Sequence, residues 1–166
     1  MINKFKYIFF LIVIFSINPS LLIANDVFEF NVTNIEIEEN GNIFKGYNGG
    51  EAFTSDVFIK AKNFEYNKRL NLLVSGGDVK LQDKKKNIII IADKISYSKD
   101  EEIITAYGNA KIQDIDRKII IRSDQIEFKK IDQIITANTN VNLVDELNKI
   151  NIDSDKITYL INDEKI

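Results

Sequence analysis

Ile90-Ile91-Ala92-Asp93-Lys94-Ile95-Ser96-Tyr97, a charged interval, then Ile104-Thr105-Ala106-Tyr107-Gly108-Asn109-Ala110-Lys111-Ile112: this stretch decides the fold. Taken alternately, Ile90, Ala92, Ile95, Tyr97, Ile104, Ala106, Gly108, Ala110 and Ile112 are all apolar or small. The residues between them include Asp93, Lys94, Ser96, Thr105, Asn109 and Lys111. Alternation with period two predicts half-buried β-strands, about 88–97 and 103–113, joined by polar loops in antiparallel hairpins.

The unit recurs. Ala61, Ala92, Ser123 and Ser154 are spaced by 31 residues, and so are the sets beginning at Lys62, Phe64 and Tyr66. The second half of the unit returns as Leu73, Ile104 and Ile135, then Asp78, Asn109 and Asn140, then Leu81, Ile112 and Leu143. A fixed period with matching chemistry marks a repeat architecture.

Within each unit the inward parity slips by one, between Ala92 and Ile95 across Asp93-Lys94, and likewise at Lys62-Asn63, Asp124-Gln125 and Asp155-Lys156. A strand that keeps its apolar side inward through such a slip needs a bulge or corner there. Stacked corners crease the sheet along a line, which predicts an all-β fold of two facing layers, a jelly roll or flattened β-solenoid. A degenerate first unit carries Phe30, Val32, Ile35 and Ile37, with Thr33-Asn34 at its corner and a turn-rich loop expected at Gly46–Gly50. The fourth copy stops partway at Ile166, so an open strand edge or a continuing chain is expected there.

Composition excludes several functions. There is no Cys and no His, so no disulfide framework, no thiolate site and no histidine base or ligand. The acids fall on outward positions and loops without converging, so no enzyme is expected. Asp100-Glu101-Glu102 and Asp163-Glu164 lack the spacing of a calcium loop, and neither a metal nor a cofactor is expected. Asn31-Val32-Thr33 is a glycosylation sequon by pattern, read as chance within a strand. The net charge of −3, which becomes −5 without Met1–Ala24, argues against a nucleic-acid partner. Those first 24 residues have Lys4 and Lys6, the apolar run Tyr7–Ile17 and the breaker Asn18-Pro19-Ser20 before Ala24. They predict a secretory signal peptide, or else a retained anchor, and place residues 26–166 outside the cytoplasmic membrane. Lys84-Lys85-Lys86 reads as a solvated loop or as a contact for lipid phosphates.

The period, with the Ala/Ser-Asp-Lys-Ile-x-Tyr and Gly-Asn-Ala-x-Ile strings and the segment Ser154-Asp-Lys-Ile-Thr-Tyr-Leu160, resembles the organic-solvent-tolerance (OstA-like) family over roughly residues 28–166. That family includes periplasmic LptA-type proteins and the N-terminal domain of LptD-type outer-membrane assembly proteins. Lys62-Asn63, Asp124-Gln125, Gly77-Asp78 and Thr139 depart from its strings at corners and turns. The resemblance implies a twisted, V-shaped antiparallel β-jelly roll and a periplasmic location. It implies an apolar groove for lipopolysaccharide acyl chains, and head-to-tail stacking through edge strands with like proteins or further copies.

On that reading the groove is lined by Phe64, Tyr66, Leu73, Ile90, Ile95, Tyr97, Ile104, Ile112, Ile126, Phe128, Ile135, Leu143, Ile157 and Tyr159. Large rings opposite the small residues at 61, 92, 123 and 154 would leave a trough. The competing readings are a closed core in a structural β-repeat, and the periplasmic part of an LptD-like chain.

Overall fold

Ten strands are what the alternation produces. In the computed structural model, residues 27–161 are described. The strands are β1 (Glu29–Glu38), β2 (Ile43–Phe53), β3 (Val57–Ala61), β4 (Asn63–Asn67), β5 (Leu72–Asp83), β6 (Ile88–Ser98), β7 (Ile103–Asp114), β8 (Ile119–Lys129), β9 (Ile134–Asp145) and β10 (Ile150–Leu160). One 3-10 turn, Glu39–Gly41, joins β1 to β2, and the described residues contain no α-helix. The predicted signal segment lies outside the described residues.

All pairings are antiparallel, and from β5 to β10 each strand pairs with the next in sequence. The short β3 and β4 together fill one strand position between β2 and β5. Register shifts fall where the parity slips: between Val32 and Asn34, Ile91 and Lys94, Arg122 and Gln125, and Ser154 and Lys156. At the remaining corner, Lys62 separates β3 from β4.

The partner strands turn the same corner differently. Gly77-Asp78, Gly108-Asn109 and Thr139-Asn140 all have positive φ. This lets β5, β7 and β9 bend without changing which residues face inward. Gly108 is therefore a corner residue and does not line the interior as its place in the stripe implied. Its φ is +71°, and a Cβ there would meet the Asp93 carboxylate at 2.5 Å.

Side chains clasp three of the corners sixteen positions apart. Lys62 pairs with Asp78 at 2.5 Å, while Asn109 and Asn140 donate amide hydrogen bonds to Asp93 (2.9 Å) and Asp124 (2.8 Å). The expected loop at Gly46–Gly50 is instead continuous strand within β2. Its left-handed residues, Asn48 and Gly49, form the first corner. Gly46 and Gly50 flank Val32 so tightly that a Cβ would approach its Cγ1 to 2.9 and 2.7 Å. Turn-forming residues here serve a crease instead of a chain reversal.

The crease divides the sheet into two layers. Layer 1 comprises β3 and residues 79–83, 88–92, 110–114, 119–123, 141–145 and 150–154. Layer 2 comprises β4 and residues 72–76, 94–98, 103–107, 125–129, 134–138 and 156–160. Their hairpin ends stack with the same period. Lys68, Lys99, Lys130 and Ile161 donate backbone N–H bonds to Asn42, Asn71, Glu102 and Gln133 along the layer 2 tips. Lys84, Ile115 and Glu146 donate to Asp56, Asn87 and Lys118 along the layer 1 tips. The sheet ladders thus continue through the turns, and one apolar cluster from Phe28 to Ile161 fills the space between the layers.

Candidate functional site

Twelve of the fourteen residues expected to line a groove are buried in that single cluster, and Ile157 and Tyr159 pack against it half-buried. The alternation therefore placed them together on one inner surface. Their arrangement differs from the expected trough. The small residues Ala61, Ala92, Ala110 and Ser123 lie beside the crease, where the layers converge. The rings of Tyr66, Tyr97 and Phe128 lie toward the tips of layer 2, where the layers diverge. Side-chain size follows the taper of the wedge, so the rings fill its wide side instead of facing an empty one. Ile95, Ile104 and Phe128 have no exposed surface. Each buried aliphatic chain of this size contributes roughly 1.5–3 kcal/mol, so the interior holds the layers together.

The wide side is closed by polar groups that no sequence motif announces. Lys130 at the tip of layer 2 reaches Asp83 at the tip of layer 1, with Nζ 3.3 Å from Oδ2. It pairs with Glu102 at 2.6 Å and donates to the Tyr97 hydroxyl at 3.2 Å. That hydroxyl in turn donates to Glu102 at 2.9 Å. Asp83 is fully buried, and its other oxygen accepts the Lys86 N–H at 2.9 Å.

One ammonium thus joins two carboxylates belonging to opposite layers. Burial pulls the Lys130 pKa down, but the Glu102 hydrogen bond, with Tyr97 and Asp83, outweighs it and leaves the ammonium stabilised above the usual lysine range. Burial is the main cause that raises the Tyr97 phenol. The same acid position returns as Asp114, which accepts the Arg117 N–H at 3.0 Å, and as Asp145, which accepts the Asn148 N–H at 2.8 Å. Hydrogen bonds from the Asn148 side chain and backbone lower the Asp145 pKa.

The two ends of the wedge are unlike. Toward β1, the Phe28 ring packs edge-on against Tyr66 (5.3 Å between centroids) and Tyr97 (5.8 Å), and Phe30 reaches Phe64 and Tyr66. These rings plug that end. Toward β10 no strand follows among the described residues. Ile150 and Ile152, the counterparts of the buried Ile119 and Ile121, are 46% and 43% exposed. On the β1 side, Ile35 and Ile37 take the positions of Phe64 and Tyr66 and are likewise exposed. Among the described residues, each edge strand therefore offers unpaired backbone and uncovered interior side chains.

No family model matches the sequence. No curated protein matches it. Among solved structures, the fold is similar to that of LptH from Pseudomonas aeruginosa, described as the LptA-homologous periplasmic component of the conserved lipopolysaccharide transport device. The TM-score is 0.65 at 11% identity, over 72% of this chain and 94% of that chain. The likeness establishes the β-jelly-roll architecture.

Proposed function

We propose, from a creased jelly roll shared with a periplasmic lipopolysaccharide-transport component, that this chain is a lipopolysaccharide-binding bridge acting in the periplasm. Acyl chains pass along the interior between the two layers, and the chain adds to its neighbours through the edges of β1 and β10. The observation that carries the reading is one continuous apolar interior that runs from the Phe28 and Phe30 rings at the β1 end to the β10 edge, which no further strand covers among the described residues. Burying one CH₂ gains roughly 0.8 kcal/mol. A chain of about 14 carbons displacing solvent there gains on the order of 10 kcal/mol gross, before the losses of association. Since the interior is packed, lipid has to part the layers, so the lysine-linked tips set how readily it enters. That moderates affinity at each station, which transport needs. The protein's work is binding and transfer, without chemistry on the lipid.

A second reading has its own observation. The interior side chains are so completely buried that they already form a sufficient core, as in a structural β-repeat that binds only protein edges. The LptD-like alternative uses the same domain as the periplasmic part of an outer-membrane assembly protein. Isolation from a lipopolysaccharide-producing host separates the first two: the bridge co-purifies with lipopolysaccharide in stoichiometric amounts. Lipid-free protein that also fails to take up lipopolysaccharide on mixing contradicts it.

A further inference from the structure

The two layers share a repeat and an inner face, yet their outer faces differ. At one register position of layer 1, Lys60, Lys80, Ile91, Lys111 and Arg122 are direct cross-strand neighbours and all point outward. Four steps of about 4.8 Å make this row roughly 19 Å long. Like charges face each other directly, Lys60 against Lys80 and Lys111 against Arg122, an arrangement that costs stability in a sheet, and the one acid directly beside the row is Glu51, opposite Lys60 on β2. Among the described residues, Lys60, Lys80 and Lys111 take part in no ion pair that would offset that cost. Arg122 has only a 3.5 Å contact to the Asn142 side chain.

Closer to the tips runs a parallel outward row of the half-buried Phe53, Phe58, Ile89 and Val144 with Ile120, which is 9% exposed, interrupted by Gln82 and Gln113. Beyond it the layer 1 hairpins present Lys84 and Lys85, then Ile115 and Lys118 around Asp116, then Leu147 and Lys149 beside Glu146. Beside the cation row, Ile91, Lys111, Arg122, Asn109, Asn140 and Asp124 line an open hollow of about 390 Å³.

The matching position in layer 2 is an internal control. There Lys45, Glu65, Val74, Ser96, Thr105, Glu127 and Thr136 are neighbours, a mixed solvated surface whose one lysine is opposite Glu65 and paired with Glu38. The net charge of the whole chain is −3, so overall charge does not explain a cationic row.

We infer that the outer face of layer 1 docks on an anionic lipid leaflet. The cation row takes the phosphates, the hollow beside Lys111 and Arg122 seats a headgroup, and the apolar row with Ile115 and Leu147 meets the acyl boundary. The commitment to lipid rests on adjacent parallel rows of cations and apolar side chains, the pattern of an interfacial surface. A partner recognised by charge alone, such as an acidic protein, would not call for the second row. The face lies on the opposite side of the sheet from the interior, so it does not depend on the transport reading.

The test is flotation of residues 26–166 with vesicles of phosphatidylcholine containing phosphatidylglycerol, against phosphatidylcholine alone. The unaltered chain floats only with the anionic vesicles, and added salt releases it. Lys80→Glu combined with Lys111→Glu lowers partitioning by about tenfold or more, and Lys80→Gln with Lys111→Gln by less. Thr105→Glu combined with Thr136→Glu on layer 2 changes it far less. Thermal unfolding of each variant shows that the fold is kept. Failure of the unaltered chain to float, equal flotation of the layer 1 and layer 2 variants, or flotation indifferent to lipid charge overturns the proposal. The last of these is the pattern expected from acyl-chain uptake through the interior.

Discussion

Ile121 and Ile152 hold the same place in the repeat, yet one is 1% exposed and the other 43%. The side chain is the same, and each is the third residue of an eleven-residue strand. Ile121 has β7 and β9 on its two flanks, whereas Ile152 has only β9. In a repeat fold, the burial of a residue is a property of the next copy. The middle strands are therefore a finished core, and the edges are the same core cut open. The contrast is the reason to read β1 and β10 as surfaces awaiting a partner.

Truncation measures the contrast most directly. Ile121→Ala is expected to cost about 4 kcal/mol in chemical unfolding, because it leaves a cavity between layers that cannot collapse. Ile152→Ala is expected to cost less than about 1 kcal/mol in the isolated chain. Comparable losses would mean that the edge is already covered. Ile152→Asp should leave the fold intact while weakening end-to-end association, read by light scattering at rising concentration.

Next in size is the polar closure of the middle strands, which the edges lack. Lys130→Met removes the cation that ties the buried Asp83 to the opposite layer, and is expected to cost about 3 kcal/mol. The sign of the pH effect follows from the shifts. Lys130 and Tyr97 both have raised folded pKa values, so their contributions are intact below the unfolded values and lost as pH rises through the folded ones. The unfolded values are about 10.4 for lysine and 10 for tyrosine. Stability should therefore fall above about pH 10, with a shallower slope in Tyr97→Phe. A flat alkaline profile for the unaltered chain would contradict the closure.

A smaller effect is expected where one copy of the repeat breaks its own rule. Gly77 and Gly108 supply the left-handed corner in β5 and β7, but β9 uses Thr139 at φ 65°. A β-branched residue is strained there. Thr139→Gly should raise stability by roughly 1 kcal/mol, and no gain in thermal unfolding would show that the corner clasp of Asn140 with Asp124 sets that conformation by itself.

Much of this was legible from the spacing. Phe64, Ile95, Ile126 and Ile157 announced a common inner face, and Asp93-Lys94 announced a corner. Short-range alternation carries both kinds of information. The Gly46–Gly50 segment misled because glycine and asparagine signal left-handed backbone, which serves a crease as well as a loop. The trough did not follow from residue sizes, because sequence gives the sizes and only the folded taper says which ends meet. The Asp83–Lys130 contact was invisible for another reason: it joins opposite layers and belongs to neither strand's pattern. Its one available trace was the recurrence of Asp83, Asp114 and Asp145 at the period of the repeat. Likewise, the cation row emerges only when register aligns Lys60, Lys80, Lys111 and Arg122 across strands.

The central claim is that lipid travels between the layers. A photo-activated cross-linking residue at Ile95 or Phe128, in cells making lipopolysaccharide, tests it most directly. Both positions are expected to label lipopolysaccharide, whereas a probe at the outward Thr105 is not. Failure of the interior probes in protein that folds normally, or equal labelling from Thr105, would contradict it.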